Sequence, residues 1–125
     1  MAVLTTTGKA WIVDKLQDVA PLSNAKQEWQ GWGTGATAEN VSNTTLATEA
    51  SEARVQGVLS QPAADTDRLV ATQTASGAKT ITELARFNTS TKGGGGEVML
   101  QRALFTGLPL LAGDRIEGTQ DLQVT

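Results

Sequence analysis

The last stretch of the chain alternates with a period of two. Ile116, Gly118, Gln120, Leu122 and Val124 fall on one side, and Arg115, Glu117, Thr119, Asp121 and Gln123 on the other. That is the pattern of a strand with one buried face. A different period appears near the start, over residues 5–20. There Ile12, Val13, Leu16 and Ala20 share one side, while Asp14, Lys15 and Asp18 lie mostly elsewhere. This spacing predicts a short helix, capped by Thr6 or Thr7 and stopped soon after by Pro21. A helix of about three turns is marginal alone, so its apolar side must dock on the body of the protein or on a neighbour.

From Glu28 onward the pattern becomes short extended runs between turn residues, the spacing of an antiparallel sandwich or barrel. Glu28 to Trp32 is the first run, and Ala53 to Gln61 is the second, ending at Pro62. The polar segment between them has Leu46 as its anchor. Asp67 to Ala75 and Lys79 to Phe87 flank Ser76-Gly77-Ala78, which reads as a hairpin with Gly77 at a positive-φ position. Glu97 to Thr106 is strand-like and follows Lys92 to Gly96, a glycine run expected to be an exposed loop tip. Gly107-Leu108-Pro109 and Ala112-Gly113-Asp114 punctuate the remainder. The expected architecture is mainly β, an antiparallel β-sandwich that is jelly-roll-like or Ig-like. Residues 1–24 form its N-terminal arm and short helix, and 25–125 the sandwich domain.

Composition narrows the chemistry. The 125 residues suffice for one domain and include no Cys and no His, which removes thiolate zinc sites, imidazole bases and the familiar nucleophile-His arrangements. Charged residues are 18% of the chain and the formal net charge is −3, so no basic groove is offered to nucleic acid or to an anionic membrane. Eighteen Thr residues favour extended backbone. No apolar run approaches the ~20 residues of a membrane span, and no signal-peptide pattern opens the chain, so a soluble protein made in a cytoplasm is expected.

Gly33-Thr34-Gly35-Ala36-Thr37-Ala38 fits the G-x-G-x-x-G/A pattern of a dinucleotide turn, with Glu52 at a suitable distance. The helix such a turn requires is missing, because Thr37, Asn40, Val41, Ser42, Asn43, Thr44 and Thr45 follow. A strand end running into a polar excursion is the better reading. The carboxylate pairs Asp65 with Asp67 and Glu49 with Glu52 lack an acid–base motif and read as solvated charges. The Asn-x-Ser/Thr triplets at Asn40, Asn43 and Asn88 read as turn chemistry. Trp11, Trp29 and Trp32 suit packing, within or between subunits, better than ligand stacking. No catalytic, cofactor or metal residue is assigned, and an enzyme is not expected.

The order of LTTTGKAWIVDKL, WQGWGTGATAENVSNTTLATEASEARVQGVLS, ATQTASGAKTITELARF and GEVMLQRALFTGLPLLAGDRIEGTQDLQVT resembles a family of small tailed-bacteriophage virion proteins. Those chains show T-x-x-G-K, G-x-G-T-G, T-x-L-x-x-E before an Arg, I-T-E-x-x-x-F, L-x-R-x-x-F and a terminal G-D-x-I before L-x-V-T. This chain departs from them at Arg86, at Asn88 and in its tetraglycine tip. The resemblance implies a capsid decoration or cement subunit on the virion exterior, a homotrimer bound to the major capsid protein without nucleic acid, membrane or cofactor. A tail-fibre, collar or other tail-associated protein is the alternative, and a ligand- or nucleotide-binding enzyme domain a remote one. Interaction residues expected on this reading are Ala2, Val3, Leu4, Trp11, Ile12, Val13, Leu16 and Trp32. The segment Ala2 to Thr7 would add a strand to a neighbour's sheet edge, and the Ile12, Val13 and Leu16 side would dock.

Overall fold

A computed structural model describes residues 2–17 and 26–125 of the chain, with the side chains of Asp14, Leu16 and Gln17 left out. Asp18, Ala20 and Pro21, which figured in the expected helix and its stop, lie outside the described residues, as does the Leu16 side chain. Strand β1 (Val3–Leu4) leads into helix α1 (Thr6–Gln17). Strands β2 (Trp29–Gly33), β3 (Val55–Gln56), β4 (Val58–Ala63), β5 (Thr66–Thr74), β6 (Lys79–Phe87), β7 (Met99–Leu110) and β8 (Arg115–Gln123) follow. They form two antiparallel sheets, one ordered β1-β7-β6-β2-β3 and the other β4-β5-β8. The protein is therefore mainly β with a short N-terminal helix.

The helix begins where a side chain meets its free amides. Thr5, not Thr6 or Thr7, is the cap: its buried hydroxyl accepts from the Gly8 amide at 2.9 Å. Gly8 itself lies against the backbone of Leu100, where a Cβ would collide with the Leu100 carbonyl oxygen. The Thr-x-x-Gly spacing thus both starts α1 and lets it lie flat on β7.

The expected hairpin between residues 67 and 87 does not form. Strand β5 pairs with β8 and β4, whereas β6 pairs with β7 and β2, so the two runs belong to opposite sheets. Gly77 is not among the positive-φ glycines, which are Gly93 and Gly113. The actual hairpin is longer. Thr66 pairs with Gln123, Thr74 with Arg115, Lys79 with Leu110 and Ile81 with Leu108, all in one register. Residues 66–87 and 99–123 are one two-stranded ribbon, turned at residues 88–98 and folded across its middle. At the fold, the Ala75 amide donates to the Asp114 carbonyl and the Gly113 amide to the Ala75 carbonyl, both at 2.8 Å. Ribbon pairing therefore continues around the corner, and each half lands in a different sheet.

Other boundaries move for related reasons. Strand β7 runs on through Gly107-Leu108-Pro109, because three of its residues bulge opposite Thr82 and pairing then resumes, Pro109 facing Thr80. Strand β4 passes through Pro62, tolerated on a sheet edge where its register shifts. The alternation of β8 holds from Ile116 to Leu122, while Val124 lies past the strand end and is exposed.

Between the sheets are two apolar clusters. Trp32, Ala50, Ala75 and Ile81 pack with Leu84, Phe105, Leu110 and Ile116, and Leu46, Ala85, Phe87 and Met99 pack with Trp29. Three glutamines also join the sheets. The Gln30 amide nitrogen donates to Gln73 at 3.0 Å, and that of Gln120 donates to Gln30 at 3.2 Å and to the Ala85 carbonyl at 3.3 Å. Gly118 leaves room for them, since a Cβ there would strike the Gln30 amide.

The corner gives a direct test. Gly113 has φ 88°, so Gly113→Val is expected to destabilise the fold by about 1–2 kcal/mol in urea unfolding. Gly77→Ala meets nothing within 4 Å and should stay within about 0.5 kcal/mol of the parent; equal losses at both positions would contradict the corner geometry.

Candidate interaction surfaces and the buried ion pairs

The glycine-rich stretch after β2 does hold an anion, and the anion is the protein's own. Gly33 ends β2 and no helix follows it. Instead the Gly35 amide donates to Glu83 at 3.1 Å, joined by the amides of Ala47 at 2.9 Å and Thr48 at 2.8 Å. Arg102 Nε completes the set at 2.8 Å. Glu83 is fully buried on β6, and Arg102 nearly so on β7. Arg102 then reaches outward to the Thr37 carbonyl at 2.8 Å and to Asn43 at 3.3 Å. One amide of the stretch that resembled a phosphate cradle, that of Gly35, thus joins the amides of Ala47 and Thr48 in pinning the loop between β2 and β3 to a carboxylate. A Cβ at Gly33 or Gly35 would run into Glu83.

A second buried cation holds the other side of that loop. Arg54 forms two 2.8 Å bonds to Glu49 and one to Glu97, donates to the Thr89 carbonyl at 3.1 Å, and stacks 3.4 Å above the Phe87 ring. Glu97 and Lys92 tie down the base of the glycine loop, with Lys92 donating to the carbonyls of Ala50 and Glu52. Asn88 bridges the same loop, accepting from the Val98 amide and donating to the Gly96 carbonyl. The tip at Gly93, Gly95 and Gly96 is exposed, as its composition suggests.

The acidic pairs separate into individual structural roles. Glu49 belongs to Arg54, and Asp67 to Arg86 at 2.6 Å. Asp65 is exposed and accepts from Gln123. Glu52 belongs to the ribbon corner, where it accepts from Lys79, from the Ser76 amide and hydroxyl, and from the Trp32 indole at 3.3 Å. Burial pushes the Glu52 carboxyl up, but the bonds from Lys79 and Ser76 outweigh it and hold the pKa at about 2. Asn40 builds a turn on its own side chain, accepting from the Ser42 amide at 2.9 Å.

The expected interaction residues divide. Trp32 is 1% exposed and packs in the core, so it presents no contact surface. Val3 and Leu4 pair with Arg102 and Gln101 of the chain's own β7. In the single chain the arm therefore occupies its own sheet edge and not a neighbour's. Ala2, Trp11 and Ile12 are half-buried, and Val13 is exposed on α1. Sequence reasoning missed Val58, Leu108, Leu111 and Val124, all exposed. None of these carried a signal for exposure, and the alternation of β8 had placed Val124 on the buried face. Near Val124 an open cleft of about 680 Å³ is walled by Leu59, Ala64 and Leu122 with Asp65 and Asp67.

Two charged residues allow clean tests. Glu83→Gln leaves Arg102 buried without its counter-charge and is expected to cost about 3 kcal/mol or more in urea unfolding, against less than about 0.5 for exposed Glu117→Gln. For Glu52 the folded pKa lies below the ordinary value of 4.5. Its stabilisation is therefore complete above the unfolded pKa and is lost as pH falls from there towards about 2. Glu52→Gln should flatten that part of the acid-unfolding curve, and an unchanged acid limb would contradict the assignment.

No protein-family model matches the chain, and no curated protein and no solved structure matches it.

Proposed function

We propose that this chain is a structural subunit of a tailed-phage virion that binds the capsid shell as a cement or decoration protein. The observation that carries the reading is a set of paired charged side chains held in the interior together with aliphatic side chains that face outward. Arg54, Glu83, Arg86 and Arg102 are buried, while Val13, Val58, Leu108, Leu111 and Val124 are exposed. Charged side chains are seldom buried unless paired, so these hold the fold together. The exposed aliphatic positions suit burial against other chains, which is the work of a shell-binding subunit. The resemblance in motif order supports the same reading. Four of its charged positions, Glu49 with Arg54 and Glu83 with Arg102, are the buried pairs that brace the loop between β2 and β3.

In a homotrimer the arm has a physical route to a neighbour. Strand β1 is held by a two-residue register on β7, and the same register is open to the arm of an adjacent copy by exchange. Copies related by symmetry then turn modest contacts into avidity on the shell.

Val58→Lys and Leu111→Lys, tested separately, should leave unfolding unchanged, because both side chains are about 70% exposed (71% and 69%). On the cement reading at least one of them abolishes co-sedimentation with capsids. Retained binding by both would overturn the assignment of these side chains to the shell interface, and a copy number per virion of only a handful would favour a tail location instead.

A further inference from the structure

The buried polar atoms that lack a partner among the described residues are Trp11 Nε1, Gln27 Oε1 and Arg86 Nη1. All three residues line one cavity of about 290 Å³ between α1, the residues just before β2, strands β6 and β7, and the sheet of β4, β5 and β8. Orphaned buried groups are rare, because each costs about 1–3 kcal/mol unless something satisfies it. Three around one cavity, from three separate segments of the chain, point to an occupant.

The chemistry of the lining defines it. Arg86 is 1% exposed; its Nε and Nη2 already donate to the Gln27 carbonyl, and Nη2 also to Asp67. Only Nη1 is left, a charged donor. Trp11 Nε1 is a second donor, and Lys15, whose ammonium lies 5.3 Å from the Trp11 ring centroid, and Lys26 add positive charge. Among the described residues, Asp67 is the only carboxylate in the lining. Two donors in a cationic setting select an anionic acceptor with two oxygens, a carboxylate. Gln27 is 3% exposed, and its amide nitrogen is oriented by the Val98 carbonyl at 3.3 Å. Its Oε1 therefore needs a donor, such as an amide N–H. Leu59, Leu100 and Leu122 supply an aliphatic wall.

We infer that this cavity binds an N-acylated aliphatic amino acid through its carboxylate. The carboxylate accepts from Arg86 Nη1 and Trp11 Nε1, the amide N–H donates to Gln27 Oε1, and the side chain rests on the leucines. The same group occurs as a free small molecule and at the C-terminus of a peptide chain. The volume suits a small ligand, at the lower end of about 300–1,000 Å³. The site stands apart from the virion proposal and does not depend on it.

The test is a ¹H–¹⁵N titration of the full chain, following the indole N–H resonances, with Trp11→Phe used to assign that of Trp11. The probes are N-acetyl-leucine, N-acetyl-leucine amide and a heptapeptide with a free C-terminal leucine. A saturable shift of the Trp11 indole with N-acetyl-leucine, about tenfold weaker or more with the amide, supports a small-molecule site. A shift with the peptide alone supports a chain terminus. Trp11→Phe, which keeps the ring packing and loses the donor, should weaken binding several-fold, read from backbone amides around Gln27 and Arg86. No saturable shift with either acid, or equal affinity for acid and amide, overturns the inference and leaves the cavity to water.

Discussion

The carboxylate of Glu83, sealed between β6 and the loop that follows β2, is the constraint on which the rest of the molecule depends. It is fully buried from bulk solvent, so its lone pairs must find donors within the protein, and the chain supplies the amides of Gly35, Ala47 and Thr48 together with Arg102. Those donors come from both ends of a long polar excursion and from the neighbouring strand. One buried charge thereby fixes the loop's path, the approach of Gly33 and Gly35, and the packing of β6 beside β7. Arg54 does the same with Glu49 and Glu97 on the opposite flank, drawing the glycine loop and the approach to β3 together.

The folded ribbon is the second organising device. Backbone pairing that continues through Ala75, Gly113 and Asp114 lets one hairpin contribute strands to both sheets without breaking its register. Glu52 secures that corner from outside the ribbon by holding Ser76, Lys79 and Trp32. The glutamines at positions 30, 73 and 120 then link the sheets across the interior. Much of the core is thus polar and directional, which specifies one arrangement of the sheets more narrowly than apolar packing alone.

This economy of polar groups bears on function. Glu49, Glu52, Glu83, Arg54, Arg86 and Arg102 are committed to the frame, while several aliphatic side chains face outward. The proposed shell-binding role follows from that distribution, and the cavity beside Trp11 is the place where polar groups are left uncommitted.

Periodicity alone made several elements legible. The alternation of β8, the presence of α1, the Leu46 anchor and the exposed glycine tip all follow from local pattern, whereas the side by which α1 docks does not, since Gly8 lies on β7 and Val13, expected on the docked side, is exposed. The G-T-G stretch was legible as a strand end, yet not as the binding site for Glu83, since nothing local shows that a carboxylate nearly fifty residues away will sit beneath it. The runs on either side of Ser76-Gly77-Ala78 look like a hairpin for the same reason: two strands and a short connection have one sequence pattern whether they pair or part to opposite sheets. Sequence by itself determined that this protein is built from half-buried strands with a capped helix before them. Tertiary structure decided which strands pair, which charges are interior and where the arm lies, because those outcomes rest on long-range hydrogen bonds and desolvation that no window of neighbouring residues contains.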